Sequence, residues 1–318
     1  MKPCYIGIDT SNYTTSVAMC DGEGNIIANL KRPLPVKSGE RGLRQSDAVF
    51  EHVRGLPELF GKLRDEYLGD YTPVGVGVSV TPRDAEGSYM PCFLSGKAAA
   101  VAFAAGSGAP VREFSHQSGH IMAALYSASR TDLLASERFI AFHVSGGTTE
   151  ALLVTPRANG FDAELVGQTD DINAGQAIDR TGVAMGLDFP CGARLEALAR
   201  EYGGNIHKHP VCVRDGVCSL SGVENIALKL YRDSGDAAAV AAFVFDFIGS
   251  TLERMCDDIT AKYGEMPIVF AGGVMSNKIM REKLSRHHDA YFSEAQFSAD
   301  NAAGIALLCR RALIQINF

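Results

Sequence analysis

The chain has 318 residues, 46% hydrophobic and 21% charged, a globular composition that excludes disordered, collagen-like and coiled-coil classes. With 30 Lys and Arg against 37 Asp and Glu, the net charge of -7 argues against a nucleic-acid binder held mainly by counterion release. The eight cysteines form no Cys-x-x-Cys pair, and the most apolar stretches, near 97–109 and 237–248, are too short or too interrupted to span a bilayer. These features predict a reduced, cytoplasmic protein without membrane contact, built as two lobes.

In chain order, Tyr5–Asp9 reads as a buried strand, Thr15–Cys20 as an alternating one, and Asp21–Asn25 as the turn into a third strand at Ile26–Leu30. A helix follows over Ser46–Tyr67, interrupted by Pro57. Next come a Gly-alternating strand at Val74–Val80, whose glycines ask for close backbone approach, and an Ala-rich helix at Ser95–Ala105. The opening grammar then returns. Phe139–Val144 is a strand, 145–149 a polar loop, Glu150–Val154 a strand and Phe161–Val166 another. Helices are predicted over Ala174–Met185, Arg194–Tyr202 and Ala237–Tyr263, a strand over Pro267–Ala271 and a closing helix over 301–314. Two lobes that each open on a strand meander match an α/β, two-lobed actin-like ATPase (ribonuclease H-like) architecture with nucleotide in the interlobe cleft, the alternative on pattern alone being an ordinary doubly wound domain with Gly-rich turns. The expected lobes are 1–112 plus 300–318, and 113–299.

Three Gly- or hydroxyl-rich turns follow strands: Asp9-Thr10-Ser11, Ser145-Gly146-Gly147-Thr148, and Ala271-Gly272-Gly273 with Asn277. Each could present amides or hydroxyls to a phosphate, although each taken alone could equally be a tight structural turn. Asp170 and Asp171, ahead of Gly175 and Asp179, read as helix-capping carboxylates with a ribose-hydroxyl acceptor beyond them. His116-Gln117-Ser118-Gly119-His120 places two imidazoles at i and i+4 on one helical face, the spacing that lets both ligate one metal, although in isolation it reads more readily as two capping or solvated histidines. Gln117 stands where a zinc peptidase would carry its glutamate base, so peptidase chemistry is disfavoured.

Taken in order, these segments, together with Ser95-Gly96-Lys97, Asp170–Gly192 and the run from Ser298 to Ala303, resemble the TsaD (Gcp) family. Its members transfer a threonylcarbamoyl group onto tRNA and were formerly described as O-sialoglycoprotein endopeptidases. The resemblance covers almost the whole chain. It implies His116, His120 and Asp300 as ligands of one divalent metal, iron or zinc. It implies an adenylate pocket from His143, Val144, Ser145, Gly146, Gly147, Asp179, Gly192 and Asn277, with Asp9 and Ser11 on the transferring side. The ligand would be an adenine nucleotide or threonylcarbamoyl-adenylate, and the acceptor the exocyclic amine of the anticodon-adjacent adenosine. Implied partners are tRNA met through a complex, a related actin-like subunit and a small ATPase subunit.

The chain departs from the family pattern near the chemistry. Thr148 replaces a histidine, Asn12-Tyr13-Thr14 replaces an acidic run, Thr81-Pro82-Arg83 replaces a Gly-Pro-Gly turn, and Glu224-Asn225 stands where a lysine could meet tRNA phosphate. Three readings therefore stand: the tRNA threonylcarbamoyltransferase, a paralogous carbamoyl- or acyl-adenylate transferase with a different acceptor, and a non-catalytic partner subunit. The three retained metal-ligand positions weigh against the last.

Overall fold

The computed structural model describes residues 1–11, 13–35, 43–298 and 302–314. Its elements in order are β1 (Lys2–Ser11), β2 (Thr14–Asp21), β3 (Ile26–Pro33), α1 (Gln45–Glu66), β4 (Tyr71–Thr81), α2 (Phe93–Ser107), β5 (Val111–Ser115) and α3 (His116–Ser127). They continue with β6 (Phe139–Val144), β7 (Thr149–Arg157), β8 (Gly160–Thr169), α4 (Ala174–Ala184), α5 (Gly192–Glu201), β9 (Cys212–Arg214) and β10 (Val217–Ser219). The last are α6 (Ser221–Ser234), α7 (Ala237–Tyr263), β11 (Ile268–Ala271), α8 (Lys278–Leu284), β12 (Ala290–Phe292), the single turn α9 (Ala295–Ser298) and α10 (Ala303–Ile314).

The duplication expected from the two meanders is present in the strand order. One sheet runs β3-β2-β1-β4-β5, and the other contains β12-β11-β6-β7-β8 with β10 and β9 added at its edge. In both, an antiparallel meander is extended by two parallel strands on the side of its first strand. Among the described residues, no helix is long and apolar enough to cross a membrane.

By compactness the chain divides into Met1–Ala135 with Pro156–Asp162 and Gln296–Phe318, and Ser136–Thr155 with Ala163–Ala295. The first unit runs past residue 112, where the sequence places the boundary, because α3 packs tightly on α10 within it. A Cβ on Gly304 would lie 2.8 Å from the carbonyl carbon of Gly119, so the two helix backbones nearly touch.

In the first unit, Ile6, Ile8, Val17 and Met19 face Leu56, Leu59 and Leu63 of α1 and Ala100 and Ala104 of α2. Alternation along β1 sends Gly7 and Asp9 to the opposite face. Gly77 of β4 serves α10 there, since a Cβ on it would lie 2.7 Å from the Ile305 carbonyl oxygen. The close approach expected of the Gly-alternating strand is thus made to the closing helix. Pro57 does not interrupt α1. It lies on the exposed face with Val53, whose carbonyl loses its helical donor, while the buried stripe from Ala48 to Leu63 passes it unbroken.

In the second unit, Ile140, Phe142 and Val144 of β6 share a core with Phe270 of β11, Ile178 of α4, Leu195 of α5, Val223 of α6 and Ile248 of α7. Asp236 caps α7 by accepting from the Ala239 amide at 2.9 Å. The α7 side chain Asp246 ties α8 to the 208 loop, accepting from Lys283 Nζ at 2.8 Å and Lys208 Nζ at 3.1 Å. Burial alone would raise its pKa, but the two ammonium groups hold it below the ordinary carboxylate value. A depressed folded-state pKa gives stability that is present above the unfolded value and lost as pH falls through the folded one. Asp246→Asn should therefore cost about 1–2 kcal/mol near neutrality. In urea titrations its gap to wild type should close below about pH 4.

The helix after β8 is capped by Asn173, in a box with Gln176, and not by the acidic pair Asp170-Asp171. Asp171 instead accepts from the Ser219 hydroxyl and the Leu220 and Ser221 amides, fastening the start of α6. These bonds outweigh its desolvation and hold its carboxyl well below the usual range.

Candidate functional site

Two clusters carry chemistry, one in each unit. In the first, β1 ends at buried Asp9 and Ser11, and α3 begins at His116 immediately after β5. His116 Nδ1 lies 3.0 Å from Asp9 Oδ1, which also accepts from the buried Ser79 hydroxyl of β4. An acceptor-only carboxylate at Nδ1 places the ring proton there and leaves Nε2 with its lone pair. That Nε2 lies 2.9 Å from His120 Nε2, the rings meeting edge to face with centroids 4.4 Å apart. The i, i+4 spacing thus brings the two Nε2 atoms within 2.9 Å of each other.

This donor set fits a divalent cation. Two imidazoles one helical turn apart, one of them backed by a carboxylate that fixes its tautomer, are donors of the kind a borderline divalent metal takes. Asp300, the expected third ligand, lies outside the described residues. Among the described residues, no group of three or more His, Cys, Asp and Glu is arranged to hold a metal. Asp9 is fully buried and sits behind His116, so it orients an imidazole. Ser11 is also buried, and its hydroxyl has no hydrogen-bond partner among the described residues.

Thiols are not candidates for nucleophiles here. The Cys92 thiol is pushed up to about 11 by burial and then by the Asp9 charge. Burial likewise raises Cys4 and Cys309 to about 12, and of the eight only Cys212 is exposed.

The second cluster surrounds a cavity of about 370 Å³ at the ends of β6 and β11. Gly146, Asp179, Gly192 and Asn277 all line it, joined by Gly175 and Gly273. His143, Val144, Ser145 and Gly147 are not on its wall. Val144 is fully buried in the core, where its carbonyl meets the Gly272 turn, and His143 points to the other face of β6 by alternation. In the 145–148 loop the amides of Gly147 and Thr148 donate to Ser145 Oγ, at 3.2 and 3.1 Å. Two of the amides expected to meet an anion are therefore turned inward, because the serine offers a nearer acceptor.

Asn277 is 6% exposed and caps α8, its Oδ1 accepting from the Met280 amide at 2.9 Å. Its Nδ2 is buried and has no hydrogen-bond partner among the described residues, and the residue lines the cavity. Asp179 Oδ1 accepts from the Cys191 amide at 2.8 Å, which ties α4 to the start of α5. The Gly272 turn has φ +101°, a left-handed value that suits glycine. An adjoining cavity of about 700 Å³ shares Gly146 and Asp179 and is bordered by exposed Phe189 and by Glu224. Glu224 faces Arg180 at 3.8 Å.

Solved structures similar to this chain include several with a bound nucleotide or nucleotide analogue. Full-length HypF in its phosphate- and nucleotide-bound form matches with a TM-score of 0.58 at 13% identity, over 98% of this chain and 55% of that one. The activator of the 2-hydroxyisocaproyl-CoA dehydratase from Clostridium difficile with bound ADPNP matches at 0.53 and 12%, over 99% and 98%. A ROK family glucokinase from Streptomyces griseus, in complex with glucose and AMPPNP, matches at 0.52 and 12%, over 96% and 98%. At these identities the likeness shows the fold, the actin-like ATPase fold expected from the two meanders. The sequence profile of TsaD, tRNA N6-adenosine threonylcarbamoyltransferase, matches residues 87–307, which include His116, His120, Gly146, Asp179, Gly192 and Asn277, and the chain belongs to that family.

Proposed function

We propose that the chain transfers a threonylcarbamoyl group from threonylcarbamoyl-adenylate to the exocyclic amine of the anticodon-adjacent adenosine of tRNA. The observation that carries this reading is Asn277, whose Nδ2 has no hydrogen-bond partner among the described residues, on a cavity it lines with Asp179, Gly192 and Gly146, in a chain of this family. Nucleotides bound by solved relatives of the same fold support an adenine nucleotide as the ligand.

In this reading Asn277 Nδ2 donates to an acceptor on the base or ribose, and Asp179 accepts from ribose hydroxyls. The amine nitrogen forms a bond to the carbamoyl carbon, the bond from that carbon to the phosphate oxygen breaks, AMP leaves, and the amine gives up a proton. A divalent metal held by His116, His120 and Asp300 would supply Lewis-acid polarisation of the acyl phosphate. Asp9 keeps the His116 proton on Nδ1, and no covalent nucleophile is needed. With a net charge of -7, tRNA is held together with partner subunits, among them a related actin-like chain and a small ATPase.

One observation favours a second reading, a different acceptor. Glu224, where the family pattern has a lysine, lines the adjoining cavity and occupies Arg180 at 3.8 Å, so a cation that would meet phosphate is absent at position 224 and the nearby one is paired.

Asn277→Ser keeps a capping oxygen and removes the side-chain amide. It should weaken adenine-nucleotide binding about tenfold by calorimetry with a nearly unchanged melting temperature. Equal binding by wild type and variant would remove Asn277 from the ligand site. The activity itself is tested by following labelled threonine from threonylcarbamoyl-adenylate into unmodified tRNA.

A further inference from the structure

We infer that Asp84 is a positioning residue for the paired imidazoles of α3, acting through the first turn of that helix. This rests on the metal reading of His116 and His120, and it concerns a residue in the loop between β4 and α2 that no motif singles out.

Helix α3 starts without a charge to complement its exposed amides, for its first turn contains no acidic residue. Its cap is Ser115, whose Oγ accepts from the Ser118 amide at 3.1 Å. A hydroxyl has one proton to give, and Ser115 gives it to Asp84 Oδ2 at 2.6 Å. The Ser118 hydroxyl donates to the same oxygen at 2.9 Å. Asp84 therefore fixes the rotor of the capping serine, so that its lone pair faces the Ser118 amide, and brings in the carboxylate that the turn lacks.

The neighbouring residue but one adds to this grip, because the Pro82 carbonyl accepts from the Gln117 amide at 3.0 Å. His116 lies between these anchored positions. Its ring is held by Asp9 on one side, and its backbone is held by the Thr81–Asp84 segment on the other. His120 follows one turn later, so the Nε2–Nε2 approach of 2.9 Å depends on how this turn is set. Asp84 touches neither imidazole and is exposed at the surface, so replacing it opens no cavity.

The test titrates the full chain with Co²⁺, following the visible absorption of the bound ion, alongside metal-free melting curves. Wild type, Asp84→Ala, Asp84→Asn and His116→Ala are compared. Asp84→Ala should weaken Co²⁺ binding by roughly tenfold or more, the range for groups that orient metal ligands. Asp84→Asn keeps an oxygen able to accept both hydroxyls and should recover most of the affinity. Melting of the metal-free variants should stay close to wild type. Unchanged Co²⁺ affinity in Asp84→Ala overturns the inference, as does a loss matched by an equal fall in metal-free stability or not rescued by asparagine. If wild type takes up no Co²⁺, or His116→Ala binds it as well as wild type, the metal reading itself fails.

Discussion

His116→Ala is expected to lower divalent-metal affinity by at least roughly a hundredfold, beyond the range for losing a group that only orients a ligand. The variant removes one of two nitrogens that lie 2.9 Å apart, and one imidazole of α3 cannot replace a pair. It also strips the fully buried Asp9 carboxylate of a partner 3.0 Å away. A buried charged acceptor that loses a donor costs about 1–3 kcal/mol, so the metal-free protein should also melt earlier. His120→Ala leaves the Asp9 contact in place and should lose metal without that second penalty. Metal content after dialysis, read beside melting curves, separates the two variants. Equal metal in His116→Ala and wild type would remove α3 from the metal site.

The second large effect is expected at Gly175. Glycine to alanine inside a helix usually stabilises by about 0.5–1 kcal/mol, through propensity. At Gly175 the sign should reverse. A Cβ there would lie 2.7 Å from both the amide nitrogen and the Cα of Gly146, backbone atoms that cannot swing away. The loop after β6 would have to leave α4, breaking the bond from the Gly175 amide to the Ser145 carbonyl at 3.1 Å. Gly146 and Gly175 both wall the cavity assigned to the adenylate, so nucleotide affinity should fall more than tenfold as the protein loses stability. Gly61→Ala, in α1 with open space around the position, is the control and should gain the propensity term. Calorimetric titration with an adenine nucleotide beside urea unfolding reads both effects. A Gly175→Ala protein that is as stable as wild type and binds nucleotide equally would contradict the close loop-to-helix contact.

The duplication was legible because each meander is written in local signals: apolar runs broken by Gly, Asp and Asn turns that repeat in the same order. Edge elements were not. In β5, Val-Arg-Glu-Phe-Ser is short and charged, while β12 has three residues and takes its register from β11. The helix α6 begins Ser-Gly-Val-Glu-Asn, which reads as a loop until Asp171, some fifty positions earlier, anchors its first amides. Pro57 misleads for the opposite reason, since its helix is held by a buried stripe that tolerates one lost bond on the solvent face.

The same division holds in the site. The spacing of His116 and His120 and the turn before Asn277 are local patterns, which the structure turns into a 2.9 Å Nε2–Nε2 approach and a residue on a cavity wall. The roles of Asp9 and Asp84 are tertiary. Asp9 stands beside His116 because β1 and β5 both flank β4, and Asp84 meets Ser115 and Ser118 only once a loop folds over the start of α3. The Gly147 and Thr148 amides turn toward Ser145, a choice made by hydroxyl geometry that a Gly-Gly pair does not disclose.

The most direct measurement is transfer of labelled threonine from threonylcarbamoyl-adenylate to unmodified tRNA, made with and without the partner subunits and comparing wild type with Asp179→Ala and His116→Ala. The account predicts labelled tRNA with wild type, suppressed by chelation and by either substitution. Wild-type protein that binds the adenylate yet leaves tRNA unlabelled in the presence of its partners would contradict tRNA as the acceptor.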